Sequence, residues 1–146
     1  MKGILLISHG NMAEGTLDSL TYFFREQMQQ TGFLTLTMSE NPENFKEKLR
    51  EKIAAVDSGD GVLLFADLYG GTPANQAASL LLEAEETEQL TVIAGFNLPM
   101  LMEVMTMREP GPTDHRQIVE LGRLGIECLN EVISKRKAQK SVRLYY

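Results

Sequence analysis

Two short, wholly apolar runs constrain the fold of this chain more than any other feature. One covers residues 3–7 and the other residues 62–66, and each is followed at once by a polar residue. Such runs are too short for helices and rich in branched side chains, so both are predicted to be strands buried on both faces. Because strands of that kind need helices on either side of them, the chain is predicted to be an α/β protein.

Strands and helices alternate along the rest of the chain. Further strands are predicted over residues 33–37 and 90–96, and helical spacing of apolar residues follows each strand. The alternation predicts a doubly wound, mainly parallel sheet of strand order 2-1-3-4 with helices on both faces. All 146 residues are predicted to form one domain, since no linker or repeat divides them. Its core covers residues 1–137 and ends with a helix over 114–137, and residues 138–146 form a link and a short antiparallel edge strand.

Charge and composition exclude several classes of function. The net charge of −6 argues against binding to nucleic acids or anionic membranes, because such binding requires a basic face. No apolar run approaches the ~20 residues that span a bilayer, and the chain opens on a strand rather than on a basic leader. A single cysteine fits a reducing compartment. A cytoplasmic protein is predicted.

His9 and Asp67 are predicted to meet at one edge of the sheet. His9 ends the first strand, and Asp67 follows the third. In the order 2-1-3-4 the winding reverses between these strands, and ligands bind in the crevice at their carboxyl ends. Adjacent strands lie roughly 5 Å apart, which allows an imidazole–carboxylate hydrogen bond. The carboxylate would fix the tautomer and leave the other ring nitrogen as a nucleophile.

A glycine-rich loop after Asp67 adds an anion site. Gly70 and Gly71 permit close approach of the backbone, and Thr72 is predicted to cap a helix that starts at Pro73. Helix N-termini attract anions. With Gly10 in the turn after His9, these residues are candidate supports for a phosphoryl group carried on His9.

Each feature also has an ordinary structural interpretation. A lone histidine at a strand end is more often structural than reactive, so the hypothesis rests on three features sharing one edge. His115 is predicted to be an ordinary exposed histidine, and Cys128 an inert core residue. Several methionines are interpreted as core and interface filler rather than metal ligands: Met100, Met102, Met105 and Met107. No metal site or cofactor is predicted.

Three segments carry a resemblance to a known family. They are Ile7-Ser8-His9-Gly10, Phe65 to Asn75 (FADLYGGTPAN) and Val92 to Leu101 (VIAGFNLPML). In order and spacing the chain resembles the enzyme IIA component of the mannose-type bacterial sugar phosphotransferase system, over nearly its whole length. The second and third segments are specific to this family, whereas Ser-His-Gly alone would be weak evidence for it.

The resemblance implies roles for individual residues. His9 matches the histidine that receives a phosphoryl group from the carrier protein HPr and donates it to the IIB component. Asp67 matches the carboxylate bonded to Nδ1 of that histidine, which leaves Nε2 as the phosphorylated atom. Thr72 falls near the phosphoryl oxygens. Met12 and Leu68 are candidates for an apolar docking patch.

The resemblance also implies an assembly. Family members are homodimers in which a C-terminal strand can cross to the partner's sheet, and residues 142–145 would be that strand here. IIB is expected to be a separate polypeptide, and the association with the membrane components IIC and IID is expected to be indirect. The sugar is not identified.

Three other functions remain open. Histidine phosphatases also carry a reactive histidine after the first strand, but they resemble Arg-His-Gly, whereas Ser8 precedes His9 here. The phosphocarrier subunit of the phosphotransferase-dependent dihydroxyacetone kinase shares the fold and the histidine and differs in the loop after the third strand. A flavodoxin-like regulatory or ligand-binding module would leave His9 unmodified.

Overall fold

A computed structural model of the chain describes residues 1–85 and 89–143. Four strands and six α-helices follow one another along it. The strands are β1 (Gly3–His9), β2 (Thr31–Leu36), β3 (Val62–Ala66) and β4 (Leu90–Ala94). The helices are α1 (Met12–Phe24), α2 (Pro42–Val56), α3 (Thr72–Glu83), α4 (Leu98–Val104), α5 (His115–Leu124) and α6 (Leu129–Arg143), and a short 3₁₀-helix (Arg25–Gln27) follows α1.

The four strands form one parallel sheet in the order β2-β1-β3-β4. This order and the doubly wound α/β class confirm the prediction from the sequence. In the central pair, Leu6 lies opposite Phe65 and Ile7 opposite Ala66. The predicted boundaries of the outer strands were less accurate, since β2 begins at Thr31 and β4 ends at Ala94.

Alternate residues of the central strands enter two separate cores. Ile4 and Leu6 point to the face covered by α1, α4 and α5, whereas Leu5 and Ile7 point to the face covered by α2 and α3. All four side chains are at most 1% exposed. Burial of each such side chain contributes about 1.5–3 kcal/mol, which explains why the apolar runs occupy the middle of the sheet.

The predicted helix over residues 114–137 is wrong, because the segment folds as two helices. α5 ends at Leu124, and α6 begins at Leu129. Gly125 caps α5 with its amide on the carbonyls of Leu121 and Gly122, and a β-carbon there would lie 2.3 Å from Pro99. Cys128 falls in the break and is exposed, so its predicted place in the core is also wrong.

The prediction of a link and edge strand over residues 138–146 is wrong as far as the structure describes this segment. α6 continues without interruption through residues 138–143, and residues 144–146 lie outside the described residues. Ala, Gln, Lys and Arg dominate residues 135–140, and these are strong helix formers.

Ion pairs join α2 to α3. Lys46 and Arg50 of α2 both contact the carboxylate of Glu83 at the end of α3. Hydrogen bonds from Lys46, which has the larger effect, and from Arg50 lower the pKa of Glu83. The Glu83 carboxylate lies where α3 ends, at the amino edge of the sheet and therefore away from His9.

A buried arginine closes the same amino edge. Arg108 is 5% exposed, and its guanidinium donates to the carbonyls of Lys2 at 2.9 Å, Gln29 at 2.6 Å and Gln30 at 3.2 Å. Its own carbonyl accepts from the amide of Lys2 at 2.7 Å. Burial lowers the pKa of Arg108. One side chain thus satisfies the carbonyls of the turn before β2 and the start of β1.

Replacing Arg108 by methionine is expected to lower the free energy of unfolding by about 2–4 kcal/mol, because several buried carbonyls lose their donor. Urea denaturation measures the change. Arg116→Met, at an exposed position in the first turn of α5, is the matched control and is expected to stay within about 0.5 kcal/mol. Equal stabilities for the two variants would contradict this account of Arg108.

Candidate functional site

His9 and Asp67 form a hydrogen-bonded pair at the carboxyl edge of the sheet. Oδ2 of Asp67 lies 2.9 Å from His9 Nδ1 and accepts the His9 amide at 3.0 Å. The Asp67 side chain is 10% exposed, whereas the imidazole is 45% exposed. The predicted contact is therefore present, at the point where the winding reverses between β1 and β3.

This pair determines which ring nitrogen faces outward. An ionised carboxylate only accepts hydrogen bonds, so Nδ1 carries the hydrogen and Nε2 keeps its lone pair. The second oxygen of Asp67, Oδ1, is buried without a partner among the described residues. Both hydrogen bonds that Asp67 accepts through Oδ2 thus come from His9, and the carboxylate in turn orients a nucleophilic nitrogen.

The backbone of Gly71 lies directly against the imidazole. A β-carbon at Gly71 would stand 2.6 Å from His9 Cε1 and 3.2 Å from Nε2. The φ angle of Gly71 is −82°, so this position needs glycine for space rather than for conformation. Gly70 is different, because its φ of +82° favours glycine although nothing lies within 4 Å of its β-carbon position. The predicted close approach of the backbone is therefore to the histidine ring itself.

Ser8 is a site residue that the sequence analysis missed. Its buried hydroxyl accepts from the Ala13 amide at 2.7 Å and donates to the Gly10 carbonyl at 3.0 Å. Asn11, at the cap position of α1, makes no side-chain capping bond. The hydroxyl of Ser8 caps the helix instead by accepting the Ala13 amide. Gly10 has a φ of +55° and makes the turn possible. A serine between an apolar run and a helix is the sequence signal that could have indicated this role.

Thr72 is not the cap that the sequence predicted. Gly71 is at the cap position, Thr72 is the first residue of α3, and Pro73 is the second. No hydrogen bond of the Thr72 hydroxyl occurs among the described residues, so this group is open to a ligand. The side chain of Asn75 instead reaches back to the Gly70 carbonyl at 3.3 Å and braces the loop.

A cavity of about 300 Å³ opens beside the histidine. Its lining includes His9, Gly10, Thr37, Glu40, Pro42 and Thr72. Pro42 and Thr72 begin α2 and α3, so two helix N-termini with their partial positive charge border this space. No group of three His, Cys, Asp or Glu side chains suited to a metal ion occurs within residues 1–85 and 89–143. The arrangement fits a small anion next to Nε2.

Comparison with known proteins identifies the family. Residues 3–116 match the family described as "PTS system fructose IIA component", where PTS is the phosphotransferase system. The PTS system mannose-specific EIIAB component of Escherichia coli K12 is 34% identical over 129 residues, which are 86% of this chain and 39% of that protein. The chain belongs to the mannose-type family of PTS IIA components.

Other relatives agree with this family. The fructose-specific EIIA component of Bacillus subtilis is 28% identical over 75% of this chain and 72% of its own length. A solved PTS IIA protein associated with the fucose utilization operon of Streptococcus pneumoniae superimposes with a TM-score of 0.78 at 27% identity, over 90% of this chain and 96% of that one. The chain spans well under half of the E. coli protein.

The remaining sequence candidates lie outside this site. His115 begins α5 and is exposed, as predicted. Met100 is buried in the core, which confirms its interpretation as core filler. Three further methionines are partly buried and pack against the same core: Met102, Met105 and Met107. None of the described helices is long and apolar enough to cross a bilayer.

Replacing Gly71 by alanine is expected to displace the imidazole, because the new methyl group would overlap Cε1. The ¹⁵N NMR signals of the His9 ring measure this, since they report which nitrogen carries the hydrogen. Wild type is expected to show the Nδ1–H form, and Gly71→Ala a mixture or a shift. Gly15→Ala adds the same methyl group to α1, where nothing lies within 4 Å, and is expected to leave the His9 signals unchanged. Unaltered His9 signals in Gly71→Ala would contradict the contact.

Proposed function

We propose that this chain is a phosphocarrier, in which His9 Nε2 accepts a phosphoryl group from phosphorylated HPr and passes it to a IIB component for sugar uptake. The proposal rests mainly on the His9–Asp67 pair. Asp67 is hydrogen-bonded to Nδ1 of His9, which leaves Nε2 available to attack a phosphoryl group, and a cavity of about 300 Å³ lies beside the ring. Membership of the mannose-type IIA family supports the same role.

The proposed reaction is a phosphoryl exchange between two histidines. The Nε2 lone pair of His9 attacks phosphorus in line with the nitrogen–phosphorus bond of the donor. As the new bond forms, the old one breaks and its electron pair returns to the donor imidazole. The His9 ring, which keeps its hydrogen on Nδ1, gains positive charge, and the Asp67 carboxylate stabilises that charge. The same geometry run in reverse delivers the group to IIB.

The loops around Nε2 supply the remaining support. The hydroxyl of Thr72, which lines the cavity, would donate to a phosphoryl oxygen, and the amides at the start of α3 would face the same charge. Gly10, Gly70 and Gly71 give the two loops the shape that brings their backbones to the imidazole. The roles of Gly10 and Thr72 rest on their place in the lining of the cavity, and that of Gly71 on its contact with the imidazole.

The surface around His9 is suited to an apolar and basic partner. Met12, Leu68 and Tyr69 are at least half exposed beside the site, which supports the docking patch predicted from Met12 and Leu68. The loops over residues 10–11, 37–41, 67–71 and 95–97 contain no lysine or arginine. A partner with basic side chains around its own reactive residue would complement this surface. IIC and IID would then be reached only through IIB.

Incubation with phosphoenolpyruvate, enzyme I and HPr is expected to label the protein with one acid-labile, base-stable phosphoryl group. His9→Ala is expected to abolish the label, and Asp67→Asn to slow its formation by about 10²–10³-fold because the ring loses its charged orienting partner. His115→Ala is the matched control and is expected to be labelled like wild type. Unlabelled wild type, or labelled His9→Ala, would reject the proposal.

Assays with added phosphoesters or acceptor proteins separate the alternative functions. A histidine phosphatase would release inorganic phosphate from small phosphoesters without any need for HPr. The dihydroxyacetone kinase subunit would pass its label to a nucleotide-loaded kinase partner rather than to IIB. A non-catalytic module would take up no label.

We further propose that two copies associate through the C-terminal helices. α6 makes no extensive contact with the strands or other helices of the described chain, and an isolated helix of 15 residues is only marginally stable in water. Leu124, Ile126 and Leu129 are each more than 60% exposed around the α5–α6 break, and Ile133 follows one turn later. A second copy would bury these side chains.

Light scattering is expected to give the mass of a dimer for wild type and of a monomer when Leu129 and Ile133 are both changed to aspartate. Both residues lie on one face of α6, so the two charges would enter the interface. Asn130→Asp with Ser134→Asp adds the same charges on a neighbouring face and is expected to leave the dimer intact. A monomeric wild type, or a dimer that withstands the first pair of changes, would contradict this interface.

A further inference from the structure

Glu40 introduces a negative charge where the proposed function places a phosphoryl group. It follows β2, lines the same cavity as His9 and Thr72, and its side chain is only 7% exposed. Among the described residues that line this cavity, none is a lysine or an arginine. The site therefore holds an acidic residue where a tight anion site would hold a basic one.

Lys48 is the ion-pair partner of Glu40. Its ammonium group contacts Oε1 of Glu40 from the second turn of α2, and its side chain is 57% exposed. The two residues are eight positions apart, so the pair links the loop after β2 to the helix that begins at Pro42. Lys48 offsets the charge of Glu40 from the solvent side without lining the cavity itself.

Glu40 has no acid–base task in the proposed reaction. Transfer of a phosphoryl group between two imidazoles removes no proton from the attacking nitrogen, so a carboxylate is not needed as a base. Its effect on the reaction is electrostatic. Glu40 and His9 line the same cavity of about 300 Å³, so the Glu40 carboxylate lies close enough to a phosphoryl group on His9 for salt, with a Debye length of ~8 Å, to screen their repulsion only in part.

We infer that the Glu40–Lys48 pair sets how readily phosphorylated His9 gives up its phosphoryl group. The carboxylate repels the phosphoryl oxygens, and Lys48 limits that repulsion. A carrier has to accept the group and also release it, so a site that bound the group too tightly would stop the relay. Glu40 is in this account a residue that tunes the transfer equilibrium. The inference rests on the proposed function of His9.

The test is the equilibrium between phosphorylated HPr and phosphorylated His9, measured by intact mass after mixing at fixed total concentrations. Glu40→Gln is expected to shift the equilibrium toward phosphorylated His9 by about threefold to tenfold, because repulsion is lost and Lys48 is free to face the phosphoryl group. Lys48→Gln is expected to shift it toward phosphorylated HPr, because Glu40 then stands unpaired. Shifts of the equilibrium in opposite directions for the two variants would support the proposed electrostatic effect.

Glu83→Gln is the matched control. It also removes a carboxylate that forms ion pairs, but it lies at the far end of α3, about 17 Å along the helix from Thr72. It is expected to leave the equilibrium unchanged.

If Glu40 only anchors its loop, Glu40→Gln will lower the urea midpoint and leave the equilibrium unmoved, which would overturn the inference. Shifts of the same sign in Glu40→Gln and Lys48→Gln would also overturn it. Failure of the proposed function is distinguishable, since wild type itself would then take up no phosphoryl group.

Discussion

The pairing of β1 with β3 is the interaction on which the site depends. Both strands are buried on both faces, and their register places Ile7 beside Ala66. Because the strands are parallel, the residues that follow leave the sheet at the same edge, and the amide of Asp67 continues the pairing by donating to the Ile7 carbonyl at 3.1 Å. A slip of one residue would turn the apolar side chains of one strand to the opposite face. Hydrophobic burial thus sets the distance between His9 and Asp67.

Residues whose role depends on that pairing were predictable from the sequence. The runs before His9 and Asp67 are unambiguous as central strands, and a winding reversal between them follows from the alternation of strands and helices. Roles that depend on contacts between loops were not predictable. The loop of Gly71 shows no sign in the sequence that it meets the imidazole, and Ser8 looked like the polar end of a strand. Thr72 had the residue type of a cap, but the helix begins one position earlier than expected.

The C-terminal region shows a second limit of local patterns. Ser141 to Tyr146 alternates like a strand, yet residues 141–143 continue a helix in which residues 135–140 are all strong helix formers. The helical preference of residues 135–140 thus outweighs the alternation as far as residue 143. The break between α5 and α6 depends instead on a tertiary contact. Pro99 approaches Gly125 so closely that only glycine fits there, and no spacing of apolar residues reveals this contact.

Arg108 has a consequence for the order in which the chain acquires its structure. Its guanidinium joins residues 78 to 106 positions away in sequence, at the very start of β1 and at the turn before β2. Contacts of that separation form late, since the intervening chain has to be ordered first. During synthesis the first two strands would leave the ribosome long before their arginine does. The amino edge of the sheet therefore stays open until Arg108 has been made, and the half-built domain relies on its apolar strands alone.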